Sequence, residues 1–190
     1  MKDLNEIWNT AFPYHPQQKM SELFPFLSLI QNEGVQNILE IGSCYGGTTM
    51  CFAQVAKRVI AIDVPVNKDL LPVEELKKLC DFHYVVGNSH DERTVDEVRN
   101  ILVNDTLDLL FIDGDHTAVG AQQDFDMYCS LVKAGGLIAF HDIVDSPYHR
   151  SAFVMVAGVY NELAKQYDHT EFLEPGGIDC GIGVLKTKDK

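Results

Sequence analysis

The feature of this sequence that most constrains its fold is the repeated alternation of short apolar runs with amphipathic segments of about helix length. The runs are rich in β-branched residues and mostly lack polar alternation: NILEI (37–41), RVIAID (58–63), FHYVV (82–86), LDLLFID (107–113) and GLIAFHD (136–142). The segments between them predict helices near residues 46–57, 72–80, 91–103 and 117–133. Continuous apolar strands that alternate with helices are typical of a parallel sheet covered on both faces. We therefore expect a doubly wound α/β domain.

The two ends of the chain depart from this rhythm. After a predicted helix near residues 150–167, HTEFLE and CGIGVLK read as two strands joined by a short loop. Before the first strand, a short arm leads into a predicted helix near residues 18–32. The expected fold is a Rossmann-like, mostly parallel sheet of seven strands, with the last strand antiparallel and helices on both faces. We expect residues 1–34 to pack as an arm and helix on the core, and residues 35–190 to form the main domain.

The composition argues against several kinds of partner. The chain has 190 residues, with 28 acidic against 15 basic ones, a formal net charge of -13. Such a field repels a phosphate backbone and the sequence shows no basic patch, so we expect no nucleic-acid partner. The N-terminus lacks the apolar core of a signal peptide, and no uncharged apolar stretch approaches the roughly 18 residues of a membrane span. We therefore expect a cytoplasmic protein without a membrane partner.

The cysteines indicate a reducing environment. They are widely scattered, odd in number and free of any CxxC pair, so neither a disulfide framework nor a zinc site is expected. They are Cys44, Cys51, Cys80, Cys129 and Cys180.

Polar residues follow each of the five predicted parallel strands at its carboxyl end. In open parallel sheets, ligands bind beyond these ends, and carboxylates are costly to bury there without a partner. Their concentration at one edge of the sheet therefore predicts the functional site. The residues are Glu40, Gly42, Asp63, Asn88, Ser89, Asp113, Asp115, His116, His141 and Asp142.

The turn after the first strand, in ILEIGSCYGG (38–47), indicates the type of ligand. A dinucleotide-binding turn would read G-x-G-x-x-G, and this turn lacks the middle glycine that lets the backbone approach a pyrophosphate. Glu40 beside the turn would repel two phosphate charges but attract an ammonium group. S-adenosylmethionine meets both demands, because its methionine part carries an ammonium and a carboxylate and it contains no phosphate. Asp63, about 20 residues further on, is placed to accept hydrogen bonds from ribose hydroxyls, which would serve NAD equally well.

Two sets of motifs resemble a known family. ILEIGSCYGGTT, with Asp63 after it, resembles the first two cofactor motifs of class I S-adenosylmethionine-dependent methyltransferases. LLFIDGDHT followed by GGLIAFHDI resembles the metal-assisted small-molecule O-methyltransferases, including catechol-type and macrolide-sugar enzymes and their cephalosporin-hydroxylase-like relatives. The likeness covers roughly residues 35–145. It implies S-adenosylmethionine as methyl donor and a small hydroxylated molecule as acceptor.

The resemblance also implies roles for particular residues. It places Gly42, Ser43 and Thr48 around the methionine end of the cofactor, Asp63 on the ribose, and Asn88 with Ser89 near the adenine. Such proteins often have an aspartate where this chain has Asn88, and an amide can both donate and accept there. We count two further residues of the first motif as cofactor-binding: Glu40 and Gly46. Two of these residues also have a structural alternative. Thr48 would be an ordinary residue in the first turn of a helix, and Gly46 would be present only for close helix packing.

Aspartates and histidines at the ends of the fourth and fifth strands suggest a metal site, because oxygen ligands with one imidazole suit Mg²⁺, Mn²⁺ or Fe²⁺. By resemblance, Asp113 and Asp142 are metal ligands, and His141 stands where relatives place another oxygen ligand. An imidazole there shifts the preference away from Mg²⁺ towards Mn²⁺ or Fe²⁺. In the metal-free alternative, Asp113 reaches the cofactor ammonium, and His116 with Thr117 caps the following helix.

The base that accepts the proton of the acceptor hydroxyl is expected in the same cluster. We expect Asp115 or His116 in this role, with His141 as a competitor if it does not bind metal. Because an imidazole can serve as metal ligand or as base, the sequence does not rank these three candidates for the base.

Several other polar residues are expected outside the site, as surface or satisfied histidines and as the solvated face of a helix, with the alternative that one of the two helix aspartates touches the site edge. These are His15, His83, His90, His149, His169, Asp124 and Asp126. The loop with Tyr148, His149 and Arg150 is also a candidate substrate lid, because such loops overhang the site. Three aromatic residues of the arm either close over the pocket or dock on a second subunit of a homo-oligomer: Trp8, Phe12 and Tyr14.

Alternative functions remain open at this point. A nicotinamide-dependent oxidoreductase would use a similar sheet, but the missing middle glycine and Glu40 argue against it. A cofactor-binding protein without transfer activity is a second alternative, because Asn88 and His141 depart from the family pattern. A haem-free iron oxygenase is the weakest, since the expected sandwich of short alternating strands is absent.

Overall fold

Seven strands form one mixed sheet in the computed structural model, which describes residues 1–65, 69–176 and 180–188. The strand order is β3-β2-β1-β4-β5-β7-β6. Strands β1 to β5 pair in parallel, and β7 is antiparallel to both β5 and β6. The predicted fold class is confirmed, including the antiparallel last strand. The strands are β1 (Asn37–Ile41), β2 (Arg58–Asp63), β3 (Asp81–Val86), β4 (Leu107–Ile112), β5 (Val132–His141), β6 (Asp168–Phe172) and β7 (Ile182–Lys186).

Helices cover both faces of this sheet and bury a separate apolar core on each. One core contains Phe26, Phe52 and Phe111, and the other contains Phe140 and Tyr160. None of the helices in the described part of the chain has both the length and the apolar character needed to cross a membrane. The helices are α1 (Leu4–Ala11), α2 (Met20–Asn32), α3 (Gly47–Ala53), α4 (Val73–Leu76), α5 (Glu92–Leu102), α6 (Ala118–Tyr128), α7 (Pro147–Ser151) and α8 (Val156–Ala164).

The N-terminal arm contains a helix that the sequence analysis did not predict. The side chain of Asp3 accepts hydrogen bonds from the backbone N–H groups of Asn5 and Glu6 and so caps α1. Ile7 and Ala11 are fully buried against the core. Proline-rich sequence after the helix concealed it, because the arm as a whole lacks a long apolar period.

The single helix predicted near residues 150–167 is wrong, because the structure has two helices there. The side chain of Ser146 caps α7 by accepting from the N–H of His149, and Pro147 occupies its first turn. The chain then leaves helical geometry at Phe153, whose φ of 59° is left-handed. No glycine or proline marks this break in the sequence, so the periodic pattern runs across it.

A close approach between the ends of two neighbouring strands shapes the site edge. Gly42 follows β1 with a φ of +90°, and a Cβ placed there would lie 2.1 Å from the carbonyl oxygen of Asp113. Asp113 in turn donates its backbone N–H to the carbonyl of Ile41 at 2.9 Å. Only glycine has both the backbone freedom and the absence of a side chain that this crossing requires.

Candidate active site

A cleft of about 770 Å³ lies at the carboxyl ends of the parallel strands. Four aspartates line it, and among the described residues no lysine or arginine does. The lining includes every residue predicted for the site except Glu40 and Gly46. The predicted residues in the lining are Gly42, Ser43, Thr48, Asp63, Asn88, Ser89, Asp113, Asp115, His116, His141 and Asp142.

One end of the cleft is organised by Asp63 at the end of β2. Its carboxylate accepts hydrogen bonds from the backbone N–H of Cys44 at 2.6 Å and of Val64 at 2.7 Å. These bonds tie the turn after β1 to the end of β2. In the loop after β3, Ser89 is held by its carbonyl, which accepts from the Tyr128 hydroxyl at 2.9 Å. Asp63 and Ser89 thus lie on a fixed backbone and still face the cleft.

Glu40 lies behind the wall of the cleft and not in its lining. It is 1% exposed, and one of its carboxyl oxygens accepts a hydrogen bond from the Thr49 hydroxyl of α3. Burial raises its pKa to about 8, and the negative charges of Asp113 and Asp63 add to that effect. Its role as partner of a ligand ammonium therefore stays a prediction, and the negative charge in the lining comes from the four aspartates.

Gly46 also lies outside the lining and precedes α3. Its φ is +84°, and a Cβ there would lie 2.7 Å from a methyl carbon of Leu71 and 2.8 Å from the ring of Pro72. Close packing and the left-handed turn account for this glycine, so a contact with cofactor stays a prediction.

The part of the cleft at the ends of β4 and β5 holds the three residues predicted to bind metal. The Nδ1 atom of His141 lies 3.2 Å from an Asp113 oxygen and 3.4 Å from an Asp142 oxygen. Burial opposes a charge on His141, but the neighbouring carboxylates prevail and raise its pKa well above the usual value. The pKa of Asp113 is lowered because the cationic His141 and the hydrogen bond from His116 outweigh its burial. Without another cation, the imidazolium of His141 balances the charge of these carboxylates.

This donor set fits a divalent cation. One ligand atom from each of Asp113, His141 and Asp142 lies within 4.8 Å of the others. The second ring nitrogen of His141, Nε2, lies 3.1 Å from a Glu22 oxygen, which leaves Nδ1 directed at the two aspartates. A histidine whose far nitrogen is fixed by a carboxylate is the usual arrangement at a metal. These residues could therefore exchange the proton of His141 for a metal ion.

The two other candidates for a base occupy different surroundings. His116 places Nε2 at 3.2 Å from Asp113 and 3.8 Å from Asp142, and the hydrogen bond with Asp113 raises its pKa. Asp115 accepts a hydrogen bond from the backbone N–H of Thr117 at 2.9 Å, at the start of α6. His116 thus faces the carboxylate cluster, whereas Asp115 takes part in the beginning of a helix.

Two site residues from the N-terminal region were missed in the sequence analysis. Gln18 is buried and donates to Asp113 at 2.7 Å, and its side-chain oxygen accepts from the Thr48 hydroxyl. Glu22 is fully buried on α2 and accepts from the backbone N–H of Gly181 at 2.5 Å as well as contacting His141. A carboxylate on the apolar face of a helix is the signal that could have identified Glu22.

Four polar residues expected outside the site lie in or beside it: His15, His90, His149 and Asp124. Asp124 is fully buried on α6, and His90 of the cleft lining places Nε2 at 3.2 Å from its carboxylate. Burial raises the pKa of Asp124. His149 is buried and lines the cleft together with Tyr148. The solvated-face assignment of Asp124 was wrong, because α6 turns this carboxylate inward. His15, His90 and His149 lie in the cleft lining and not apart from it.

The family of the chain follows from comparison with known proteins. Residues 39–143, more than half of the chain, match the model of a family described as a methyltransferase domain. An O-methyltransferase from Bacillus cereus, solved in complex with SAH, has a TM-score of 0.67 at 22% identity, over 98% of this chain and 92% of its own. The O-methyltransferase TomG from Streptomyces achromogenes, solved with SAM, has a TM-score of 0.64 at 15% identity, over 98% and 91%.

A nitrogen-directed enzyme shares the same fold. The N-methyltransferase NodS from Bradyrhizobium japonicum WM9, in complex with S-adenosyl-l-homocysteine, has a TM-score of 0.64 at 16% identity, over 86% of this chain and 84% of its own. The structural likenesses, all at low identity, describe the fold, and the family model matches the stretch that runs from β1 to the end of β5. This chain belongs to the methyltransferase domain family.

Proposed function

We propose that this protein transfers a methyl group from S-adenosylmethionine to an oxygen of a small hydroxylated molecule, assisted by a divalent cation. The chain's own residues would hold the donor at the β1 and β2 ends of the cleft and the cation at the β4 and β5 ends. The acceptor would bind between them.

The charge of the cleft is the observation that supports this proposal most strongly. Asp63, Asp113, Asp115 and Asp142 line it, with no lysine or arginine among the described lining residues. A sulfonium donor with an ammonium group gains from such a field, whereas a dinucleotide would bring two phosphate charges into it. The field also favours a divalent cation. The negative charge of the cleft argues against the alternative of a nicotinamide-dependent oxidoreductase.

The solved structures support the donor but leave the acceptor atom open. The Bacillus cereus and Streptomyces achromogenes enzymes were solved with SAH and SAM, respectively. The fold also serves an N-methyltransferase, so it does not determine which atom is methylated. The carboxylate and imidazole cluster favours an oxygen acceptor, because a hydroxyl needs to lose its proton on transfer and an amine nucleophile does not need a metal.

The residues of the cluster have separable roles in this proposal. Asp113, His141 and Asp142 would hold the cation, which lowers the pKa of a hydroxyl bound to it. Glu22 would orient His141 through Nε2. His116 is our choice for the base, because its imidazole faces the cluster and is partly exposed, whereas Asp115 is engaged by the backbone of Thr117.

Thermal stability in the presence of candidate ligands tests the proposal. A specific ligand at about a hundredfold its dissociation constant adds roughly 2.7 kcal/mol to the free energy of unfolding. We expect S-adenosylmethionine and S-adenosylhomocysteine to raise the melting temperature and NADH to leave it unchanged. Stabilisation by NADH alone would eliminate the proposal in favour of an oxidoreductase.

A further inference from the structure

A second group of metal-ligating side chains lies beside the first. We infer that Asp142, His149 and Cys180 form a binding position for a zinc ion, which shares Asp142 with the cation position of Asp113, His141 and Asp142 but has two ligands of its own. One ligand atom from each of the three residues lies within 4.8 Å of the others. All three residues line the cleft.

The topology of the last strand creates this group. Strand β7 runs antiparallel to β5, so that His141 pairs with Ile182. The chain before β7 continues alongside the chain after β5, where the backbone N–H of Val144 donates to the carbonyl of Cys180 at 3.1 Å. This pairing brings Asp142 and Cys180, which are 38 positions apart in the sequence, to the same part of the cleft wall. Helix α7 adds His149.

The backbone holds one ring nitrogen of His149, Nδ1, and directs the other, Nε2, towards Asp142 and Cys180. Its Nδ1 lies 2.7 Å from the carbonyl oxygen of Val144, which can only accept, so Nδ1 carries the proton. In the neutral ring Nε2 then has a lone pair, and it accepts from the N–H of Cys180 at 3.3 Å. The same Nε2 lies 3.6 Å from an oxygen of Asp142. A lone pair and a carboxylate that face each other repel unless a cation or proton lies between them.

This arrangement repeats that of the first position. A carbonyl fixes the far nitrogen of His149 as Glu22 fixes that of His141. Each ring directs its other nitrogen at the same oxygen of Asp142. Ring nitrogens held in this way are typical of metal-binding histidines. His149 is 3% exposed and Asp142 is 7% exposed, so solvent does little to compensate these groups.

Backbone conformation at two of the ligands is consistent with a constrained site. Asp142 has a φ of 61° and Cys180 has a φ of 59°, both left-handed values that are unfavourable for residues other than glycine. Such strained conformations occur most often at functional sites.

The chemistry of the three ligands selects the metal. A thiolate, an imidazole and a carboxylate are the ligands of zinc, in contrast to the oxygen-rich set of the first position. Three protein ligands leave a fourth tetrahedral position, which would face the cleft. Binding would release the proton of the Cys180 thiol, because the thiolate is the ligand. This inference does not depend on the identity of the methyl donor.

Cobalt substitution is the test, because a thiolate bound to Co²⁺ gives a near-ultraviolet charge-transfer band. Chelator-treated protein titrated with Co²⁺ is expected to develop this band, and Zn²⁺ is expected to abolish it by displacement. The band should be lost in Cys180→Ser and kept in Cys44→Ser, a matched control because Cys44 also lines the cleft. We expect Cys180→Ser to weaken Zn²⁺ binding by roughly a hundredfold or more in competition with a chromophoric chelator.

Two further measurements keep the result interpretable. The band should persist in Asp113→Asn, which alters a ligand of the first position only, and its loss there would contradict the two-position arrangement. On the unaltered protein, Zn²⁺ should protect Cys180 but not Cys44 from alkylation by iodoacetamide, as measured by peptide mass spectrometry. Absence of the band, its persistence in Cys180→Ser, or equal alkylation of both cysteines would overturn the inference.

Binding of S-adenosylhomocysteine, measured on the same samples, separates this inference from the proposed function. Ligand binding without a thiolate band refutes the zinc position alone. A thiolate band without ligand binding refutes the methyl donor alone.

Discussion

Gln18 of the N-terminal arm donates a hydrogen bond to the carboxylate of Asp113 at 2.7 Å, across 95 positions of the sequence. Its side-chain oxygen also accepts from the Thr48 hydroxyl of α3. One amide thereby joins the arm, the first helix after the glycine turn and the end of β4. The arm is therefore a part of the cleft wall.

Replacing this amide tests whether the arm folds with the domain. We expect Gln18→Leu to lower the free energy of unfolding by about 1–3 kcal/mol, because buried polar partners are left unsatisfied. Gln17→Leu, an exposed neighbour, is the matched control and should change stability by less than about 0.5 kcal/mol. Urea unfolding followed by the fluorescence of Trp8, the chain's one tryptophan, and by circular dichroism measures both. Separate midpoints for the two signals would contradict a shared folding unit.

Glu40 predicts a pH dependence of stability. Its pKa is raised from 4.5 to about 8 in the folded chain, so the folded state holds a proton that the unfolded state has lost between these values. Stability contributed by this group is therefore complete below about pH 4.5 and falls as the pH rises towards 8. Glu40→Gln should remove this loss and add about 3 kcal/mol at pH 7.

Urea unfolding of both proteins at a series of pH values between 5 and 8.5 provides the measurement. A difference of one unit between the folded-state and unfolded-state pKa corresponds to roughly 1.4 kcal/mol. Glu75→Gln, an exposed position on α4, is the control and should parallel the unaltered protein. If Glu40→Gln showed the same pH profile as the unaltered protein, Glu40 would be ionised in the folded state.

Asp63 should contribute to ligand affinity more than to stability. Asp63→Asn retains an acceptor for the backbone N–H groups but loses the charge that a ribose diol or an ammonium would meet. We expect calorimetry to show S-adenosylhomocysteine binding weakened by about ten- to a hundredfold, the loss of one or two charge-assisted hydrogen bonds. Asp105→Asn, an exposed aspartate at the opposite edge of the sheet, should bind as the unaltered protein does. Equal affinity of all three proteins would remove Asp63 from the ligand site.

Asp142 should separate metal binding from cofactor binding. Asp142→Asn is expected to weaken Mn²⁺ binding by at least about tenfold while leaving the affinity for S-adenosylhomocysteine almost intact, because this residue lies at the far end of the cleft from Asp63. Asp145→Asn, in the exposed loop before α7, is the control. Manganese titration monitored by electron paramagnetic resonance gives the metal affinity, and calorimetry gives the affinity for S-adenosylhomocysteine. Identical manganese uptake by the three proteins would refute the assignment of Asp142.

The sheet and the edge that carries the site could be predicted because they depend on a regular pattern. The carboxyl ends of parallel strands lie at one edge of the sheet. Asp63, Asp113 and Asp142 each stand at such an end, so their convergence at that edge follows from the strand pattern. The orientation of Glu40 could also have been inferred, since alternation along β1 puts it on the face of Ile38, which packs under α3.

The remaining site residues depend on tertiary paths that local patterns do not encode. Glu22 contacts His141 across 119 positions, and the route of the arm over the sheet decides that contact. His149 enters the cleft because the helical conformation is interrupted between α7 and α8 at Phe153, where no glycine or proline marks the interruption in the sequence. Cys180 meets Asp142 through the antiparallel pairing of β7 with β5.

A crystal structure of the protein grown with S-adenosylhomocysteine tests the central claim most directly, namely that the aspartate-lined cleft receives a cationic amino acid tail and an adenosine. We predict density for the ligand in the cleft, with the ribose hydroxyls within hydrogen-bond distance of Asp63 and the amino group on the side of Asp113. An empty cleft at saturating ligand, or S-adenosylhomocysteine bound at a different surface of the protein, would contradict the account.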